Sequence, residues 1–144
     1  MNSGSDGACM HLIVQAGAYR CAVPLDRVQR VTPGLTVTPL PGAAHGVRGV
    51  ATYLGEPLPV LDLAVLAEAP PGPHPEHPVV VIANAGPAEV PELVGLAADA
   101  ALDIAVLPER DIAPSAGGLV RGEATLAGEP VRVIDLVAVG RERR

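Results

Sequence analysis

This chain reads as an all-β protein of two small barrels. Three features of its 144 residues carry that reading: abundant helix breakers, an internal repeat and short apolar runs that come in pairs. Sixteen glycines and sixteen prolines leave little room for long helices, since both residues are disfavoured in helix interiors. Residues 48–63, RGVATYLGEPLPVLDL, and residues 121–136, RGEATLAGEPVRVIDL, are identical at ten of sixteen positions. The offset is 73 residues, about half the chain, which marks two related halves. We therefore expect one barrel over residues 10–68 and a second over residues 78–140. Neither half can hold a large core alone, so the two are expected to pack together and leave a groove suited to binding.

Each half supplies about five short strands. His11–Ala16 and Tyr19–Val23 flank Gly17-Ala18 and form a hairpin signal. Pro24–Gln29 reads as one helical turn with proline at its start. Gly46–Leu54 and Pro57–Leu61 are strands around a tight turn at Gly55-Glu56. Asp62 precedes Leu-Ala-Val-Leu-Ala and can cap a short helix. In the second half, Pro78–Ala83 and Glu92–Ala97 form the first pair, and Leu102–Leu107 follows. Leu119–Leu126 and Pro130–Ile134 close the chain around Gly128-Glu129, with Asp135 as a second cap. The linker, residues 68–78, has five prolines in eleven residues and favours an extended path. Residues 1–9 and 141–144 are expected to be tails.

With no Phe, no Trp and two Tyr, the core must be built from Val, Leu, Ile and Ala. The formal charge is −6, and all ten basic side chains are arginine. Such a chain lacks the basic stripe and stacking aromatics of a nucleic-acid binder. No apolar run reaches the roughly 18 residues of a membrane span, so direct membrane insertion is not expected. The first ten residues have neither the basic nor the apolar region of a signal peptide, so the cytoplasm is the expected compartment.

Catalytic equipment is missing from the motifs. No phosphate-binding loop, nucleophile elbow or zinc-protease signature occurs. Ser115 is the one serine outside the N-terminal tail, and no base lies near it in sequence. His74-Pro-Glu-His77 has a carboxylate between two histidines, but a proline-rich linker offers nothing to hold ligand geometry. The recurring Asp62 and Asp135 are explained by capping, Asp26 and Asp99 by turns, and Gly49 and Gly122 by bulges. Cys21 alternates with apolar neighbours and is expected to be a small buried side chain. We expect no enzyme activity, no metal and no cofactor, and a surface made for other proteins.

Taken in order, several segments carry a resemblance. These are Val23-Pro-Leu-Asp-Arg-Val-Gln-Arg-Val31, Val47-Arg-Gly-Val-Ala-Thr-Tyr-Leu-Gly-Glu-Pro-Leu-Pro-Val-Leu-Asp-Leu63, Val79-Val-Val-Ile82 and Leu93-Val-Gly-Leu-Ala-Ala-Asp-Ala-Ala-Leu-Asp-Ile104. The last are Leu119-Val-Arg-Gly122 and Val131-Arg-Val-Ile-Asp-Leu136. From about His11 to Gly140 the chain resembles the CheW-like domain family in order, spacing and length. The resemblance implies two five-stranded SH3-like barrels around a shared apolar region, in a non-enzymatic adaptor of bacterial chemosensory signalling. It implies two partners, the regulatory domain of a CheA-type histidine kinase and the cytoplasmic tip of a methyl-accepting chemoreceptor. The free adaptor is expected to be a monomer. Carried over by position, Val28 and Gly49 fall at sensitive places of the partner-binding groove, and Val79 and Ile104 are added to it as apolar candidates.

Two departures from the family pattern concern Arg30 and Leu54. Where the family usually has Val-Gln-Glu followed by Val or Ile, this chain has Val28-Gln-Arg-Val31. Where it usually has Asn-Leu-Arg-Gly, this chain has Thr52-Tyr-Leu-Gly55. A carboxylate and a guanidinium are thus replaced by Arg30 and Leu54 on the receptor side. A second reading belongs to another class: such a fold repurposed as a structural or assembly component, or as a small-ligand binder outside chemotaxis.

Overall fold

The computed structural model describes residues 9–70, 78–115 and 118–142. The strands are β1 (Met10–Ala16), β2 (Tyr19–Pro24), β3 (Val28–Pro33), β4 (Val47–Tyr53), β5 (Glu56–Asp62), β6 (Val79–Ala85), β7 (Glu92–Ala98), β8 (Ala100–Val106), β9 (Ala113–Pro114), β10 (Val120–Leu126) and β11 (Glu129–Ile134). Helix α1 covers Leu63–Leu66 and α2 covers Leu136–Glu142. Residues 141 and 142 therefore continue a helix, where the sequence reading had placed a tail. Most of the proline-rich linker, His74 and His77 included, lies outside the described residues, as do residues 1–8.

The architecture is all-β in two sheets, as expected, but the sheets are not the two halves. One sheet has the order β8-β1-β2-β11-β10-β9 and the other β3-β6-β7-β5-β4. Each half gives its first hairpin to one sheet and its last hairpin to the other. The joins are parallel, β2 to β11 and β5 to β7. The expectation of one barrel from residues 10–68 and another from 78–140 is thus corrected. The physical reason lies in what each first hairpin must cover. Leu12, Val14, Cys21 and Val23 face the core between the sheets, while Ile13 and Ala22 face the interior of the six-stranded unit. Likewise Val81, Ala83, Val94 and Leu96 face the shared core, while Val80 and Ile82 fill the five-stranded unit. Strands buried on both faces lose their alternation and read as continuous apolar runs. One half alone would leave one of those faces in water.

The repeat survives as geometry. In both β4 and β10 the register slips one residue before a glycine, leaving Arg48 and Arg121 as the bulged residues. Arg48 then lies 3.8 Å from Asp62, and Arg121 makes a two-pronged pair with Glu109 at 2.8 and 3.1 Å. Both hairpins turn one residue earlier than expected. Leu54-Gly55 and Ala127-Gly128 occupy the corners with positive φ throughout, the pattern of a two-residue hairpin turn. The third strands correspond too. The slip in β3 skips Gln29 against β6, and that in β8 skips Leu102 against β1. The expected helical turn after Pro24 shrinks to a single 3-10 turn over Leu25–Arg27, and the chain from Val28 onward is strand.

The capping expectations hold. The Asp62 carboxylate accepts from the amides of Ala64 and Val65, at 3.0 and 3.4 Å. That of Asp135 accepts from the Ala138 amide at 3.1 Å. Asp99 does more than turn the chain: its carboxylate accepts from the Gly17 amide, 3.2 Å away in the other sheet's first hairpin.

Both cysteines are free, and Cys21 is fully buried. Burial pushes the Cys21 thiol up to about 12, and the Cys9 thiol up as well. Thiolate is the reactive form. Alkylation of the folded protein at about pH 8 should therefore modify Cys9 slowly and Cys21 only after denaturant is added. Equal labelling of both in the folded state, read by mass spectrometry, would contradict this packing.

Candidate functional site

A concave feature between the two sheets opens beside β4. A pocket of about 240 Å³ is lined by Val47 and Leu61 of the five-stranded sheet, Leu66 at the end of α1, Leu119 before β10, Val139 of α2, and the 44–46 loop. It shares Ala44 and Val47 with a shallower space of about 480 Å³, floored by Gly49, Val50, Pro57 and Pro59 and rimmed by Leu40. The wall between them is fixed by backbone. The Asp62 amide donates to Gly46 at 2.7 Å and the Val47 amide to Ala44 at 3.0 Å, so the loop cannot slide along the strand.

Gly49 sets the closeness of that floor. Its φ is 155°, and a Cβ there would run into the carbonyl of Thr38. Thr38 is held by paired backbone hydrogen bonds to Val50, at 2.8 and 2.9 Å. The equivalent Gly122 shows the same close approach, with the Ala113 carbonyl 2.6 Å from where a Cβ would lie. A side chain at either place would push an added strand off the bulge.

Of the sequence-derived candidates, Gly49 alone lines the groove. Val28 and Val79 are half-buried and pack against the core between the sheets. They sit on neighbouring strands but at opposite ends, since Val28 pairs with Ala83 and Val79 with Pro33. Arg30 is exposed on the edge strand β3, opposite Ile82, and its side chain has no ion pair or hydrogen bond among the described residues. Leu54 stands at the tip of the β4–β5 hairpin, 73% exposed. Tyr53, next to it, packs against the cluster of Leu58, Val80 and Ile82, while Arg30 lies on β3, the opposite edge of the same sheet.

Ile104 belongs elsewhere. It lies on β8, the opposite edge of the other sheet, with Leu102 and Val106 beside it and Met10 paired to Val106. These four apolar side chains are each about half exposed, between 46% and 52%. The sequence reading missed Leu40, Val47 and Leu119 as groove residues and Met10, Leu102 and Val106 as companions of Ile104. Single apolar residues in loops and at strand edges carry no periodic signal that separates them from core.

Two separate apolar surfaces result, one concave and one along an edge strand. Asp103 lies within β8 between two of its apolar residues, and Arg30 lies on β3, at the edge of the five-stranded sheet opposite β4. Among the described residues no cluster of metal-ligating side chains occurs, and no helix is long and apolar enough to cross a membrane.

The comparisons with known proteins agree with this geometry. The crystal structure of the scaffolding protein TtCheW from Thermoanaerobacter tengcongensis superposes with a TM-score of 0.75 over 89% of each chain, at 17% sequence identity. That likeness is one of fold. No curated protein matches the chain. The CheW-like domain matches residues 11–144, from the second residue of β1 to the C-terminus, and so takes in strands of both sheets and, apart from Met10, both apolar surfaces. The chain belongs to the CheW-like domain family.

Proposed function

We propose that the protein is a non-enzymatic adaptor of chemosensory signalling that couples chemoreceptors to a CheA-type histidine kinase through protein contacts alone. The observation that carries this reading is the pair of separate apolar surfaces of one CheW-like domain, a groove between the sheets and a strip along β8. A coupling protein must hold two partners at once, and two surfaces that share no residue allow that without competition.

The groove beside β4 is assigned to the receptor tip, together with Leu54 at the tip of the β4–β5 hairpin and Arg30 on the edge strand β3. A matched receptor offers an acidic group towards Arg30 and an apolar one towards Leu54, since charge complementarity fixes register and partner choice. The β8 edge, with Met10, Leu102, Ile104 and Val106, is assigned to the regulatory domain of the kinase. Interface cores are depleted in charge, and this strip suits that role. The free protein is taken as a cytoplasmic monomer that joins receptor arrays through its partners.

Reconstitution tests the assignment. Receptor fragment, kinase and adaptor should co-sediment together, and the receptor should fail to retain the kinase when the adaptor is left out. Arg30→Glu should release the receptor and keep the kinase, whereas Ile104→Asp should do the reverse. Loss of both partners with either variant would mean the two surfaces are not separate. A folded adaptor that retains neither partner would favour a repurposed structural or ligand-binding role.

A further inference from the structure

We propose that His11 is an acid-sensitive latch that holds the edge strand β8 in its sheet and releases it when the ring becomes cationic. The proposal stands apart from the adaptor reading, because its test measures strand opening and not binding.

His11 is the second residue of β1 and pairs with Ala105 of β8. It is fully buried, and apart from the Cys21 thiol no other ionisable side chain is so placed among the described residues. Its Nδ1 lies 3.2 Å from the Cys9 carbonyl oxygen, while Nε2 is buried with no partner. A carbonyl can only accept, so Nδ1 must carry the proton of the neutral ring. Nε2 then presents a bare lone pair, which an apolar surrounding tolerates at moderate cost. A second proton would put a positive N–H at a buried atom that has no acceptor among the described residues. A buried unpaired charge is among the costlier things a fold can hold.

The charged groups around the ring do not rescue the cation. Arg121 of β10 opposes it, while Asp26 in the first 3-10 turn and Glu109 in the second, over Glu109–Asp111, favour it. Glu109 is already engaged by Arg121 in the two-pronged pair. Cys9 contributes its carbonyl and a thiol that burial keeps protonated. Burial dominates, and the ring's pKa lies below the ordinary 6.5.

The same Cys9 carbonyl accepts from the Leu107 amide at 2.9 Å, the backbone tie just beyond the end of β8. Ring and tie thus share one acceptor. Expelling a protonated His11 from its site breaks that tie first. β8 is an edge strand whose outer residues are exposed, so it can open without global unfolding. Opening disperses Leu102, Ile104 and Val106 as a surface.

The sign follows from linkage. A base whose pKa is lower in the closed state makes closing fully favourable above about pH 6.5 and progressively less so below it. Carboxylates of ordinary pKa, near 4, contribute only in more acid solution. The test uses the full chain, following the Leu107 amide by hydrogen exchange and the His11 ring by NMR from about pH 7.5 to about pH 5.5. Protection of Leu107, corrected for intrinsic exchange, should be constant above about pH 6.5. Below that it should fall by up to about tenfold per pH unit, the slope for one proton. In His11→Leu the profile should be flat over the same range. A ring that titrates at or above 6.5 with Leu107 protection unchanged would overturn the proposal, as would an identical acid loss in His11→Leu. Should His11→Leu not fold, the ring titration and Leu107 protection of the unaltered protein decide between the two results.

Discussion

Gly49→Val is expected to be the most damaging single substitution in the molecule. A β-branched residue at positive φ is strained, and its Cβ would meet the Thr38 carbonyl, which two backbone hydrogen bonds hold in place. Strain and collision together should cost about 3 kcal/mol or more, which for a domain of this size lowers the melting temperature by about 10 °C. Gly55→Ala is the control. Gly55 has φ of 80° and open space around it, so it should cost only the strain, about 1 kcal/mol. Calorimetric melts of the two variants separate the terms. Equal melting temperatures would mean that Thr38 does not press on the bulge. Instability at this position has a structural source in the Thr38 contact, and lost binding in a Gly49 variant is no proof of partner contact.

Arg30→Glu is expected to weaken the native receptor partner by tens to hundreds of fold. Reversing a charge against a matched partner group typically costs a few kcal/mol, mostly in faster dissociation. The fold should not notice, because an exposed edge-strand charge without a partner contributes little to stability. Adding Leu54→Arg should turn the preference towards a conventional receptor tip. The backbone cost of the change is small, since Leu54 already bears a positive φ of 52° that arginine would share. Surface-plasmon measurements of both variants against both receptor fragments, with melts as controls, report the outcome. Unchanged affinities in folded variants would place Arg30 and Leu54 outside the interface.

Much of the fold was legible because its determinants are local. Gly17-Ala18, Gly55 and Gly128 mark hairpin turns, and Asp62 and Asp135 mark helix starts. Ten shared residues gave the repeat away. The division into sheets was not legible. A β-hairpin pairs its own strands by local rules, but whether β2 continues to β11 or to β5 depends on contacts between distant halves. The start of β3, Val28-Gln29, was read as part of a helical turn because Pro24 signals a helical start, and the rest of it was assigned no element, though its counterpart β8 was recognised. One repeat unit thus held the information that the other lacked. Ile104 and Arg30, assigned together by position in the sequence, lie on edges of different sheets, since pseudo-equivalent strands of the two halves never share one.

The coupling account is tested most directly by titration calorimetry of the intact protein against the regulatory domain of its cognate CheA-type kinase. It predicts saturable one-to-one binding with a dissociation constant in the micromolar range or tighter, about −8 kcal/mol. Ile104→Asp, which places a charge in the centre of the β8 strip, should weaken that binding at least about tenfold while melting like the unaltered protein. No heat of binding at high micromolar concentrations of both folded proteins would contradict it.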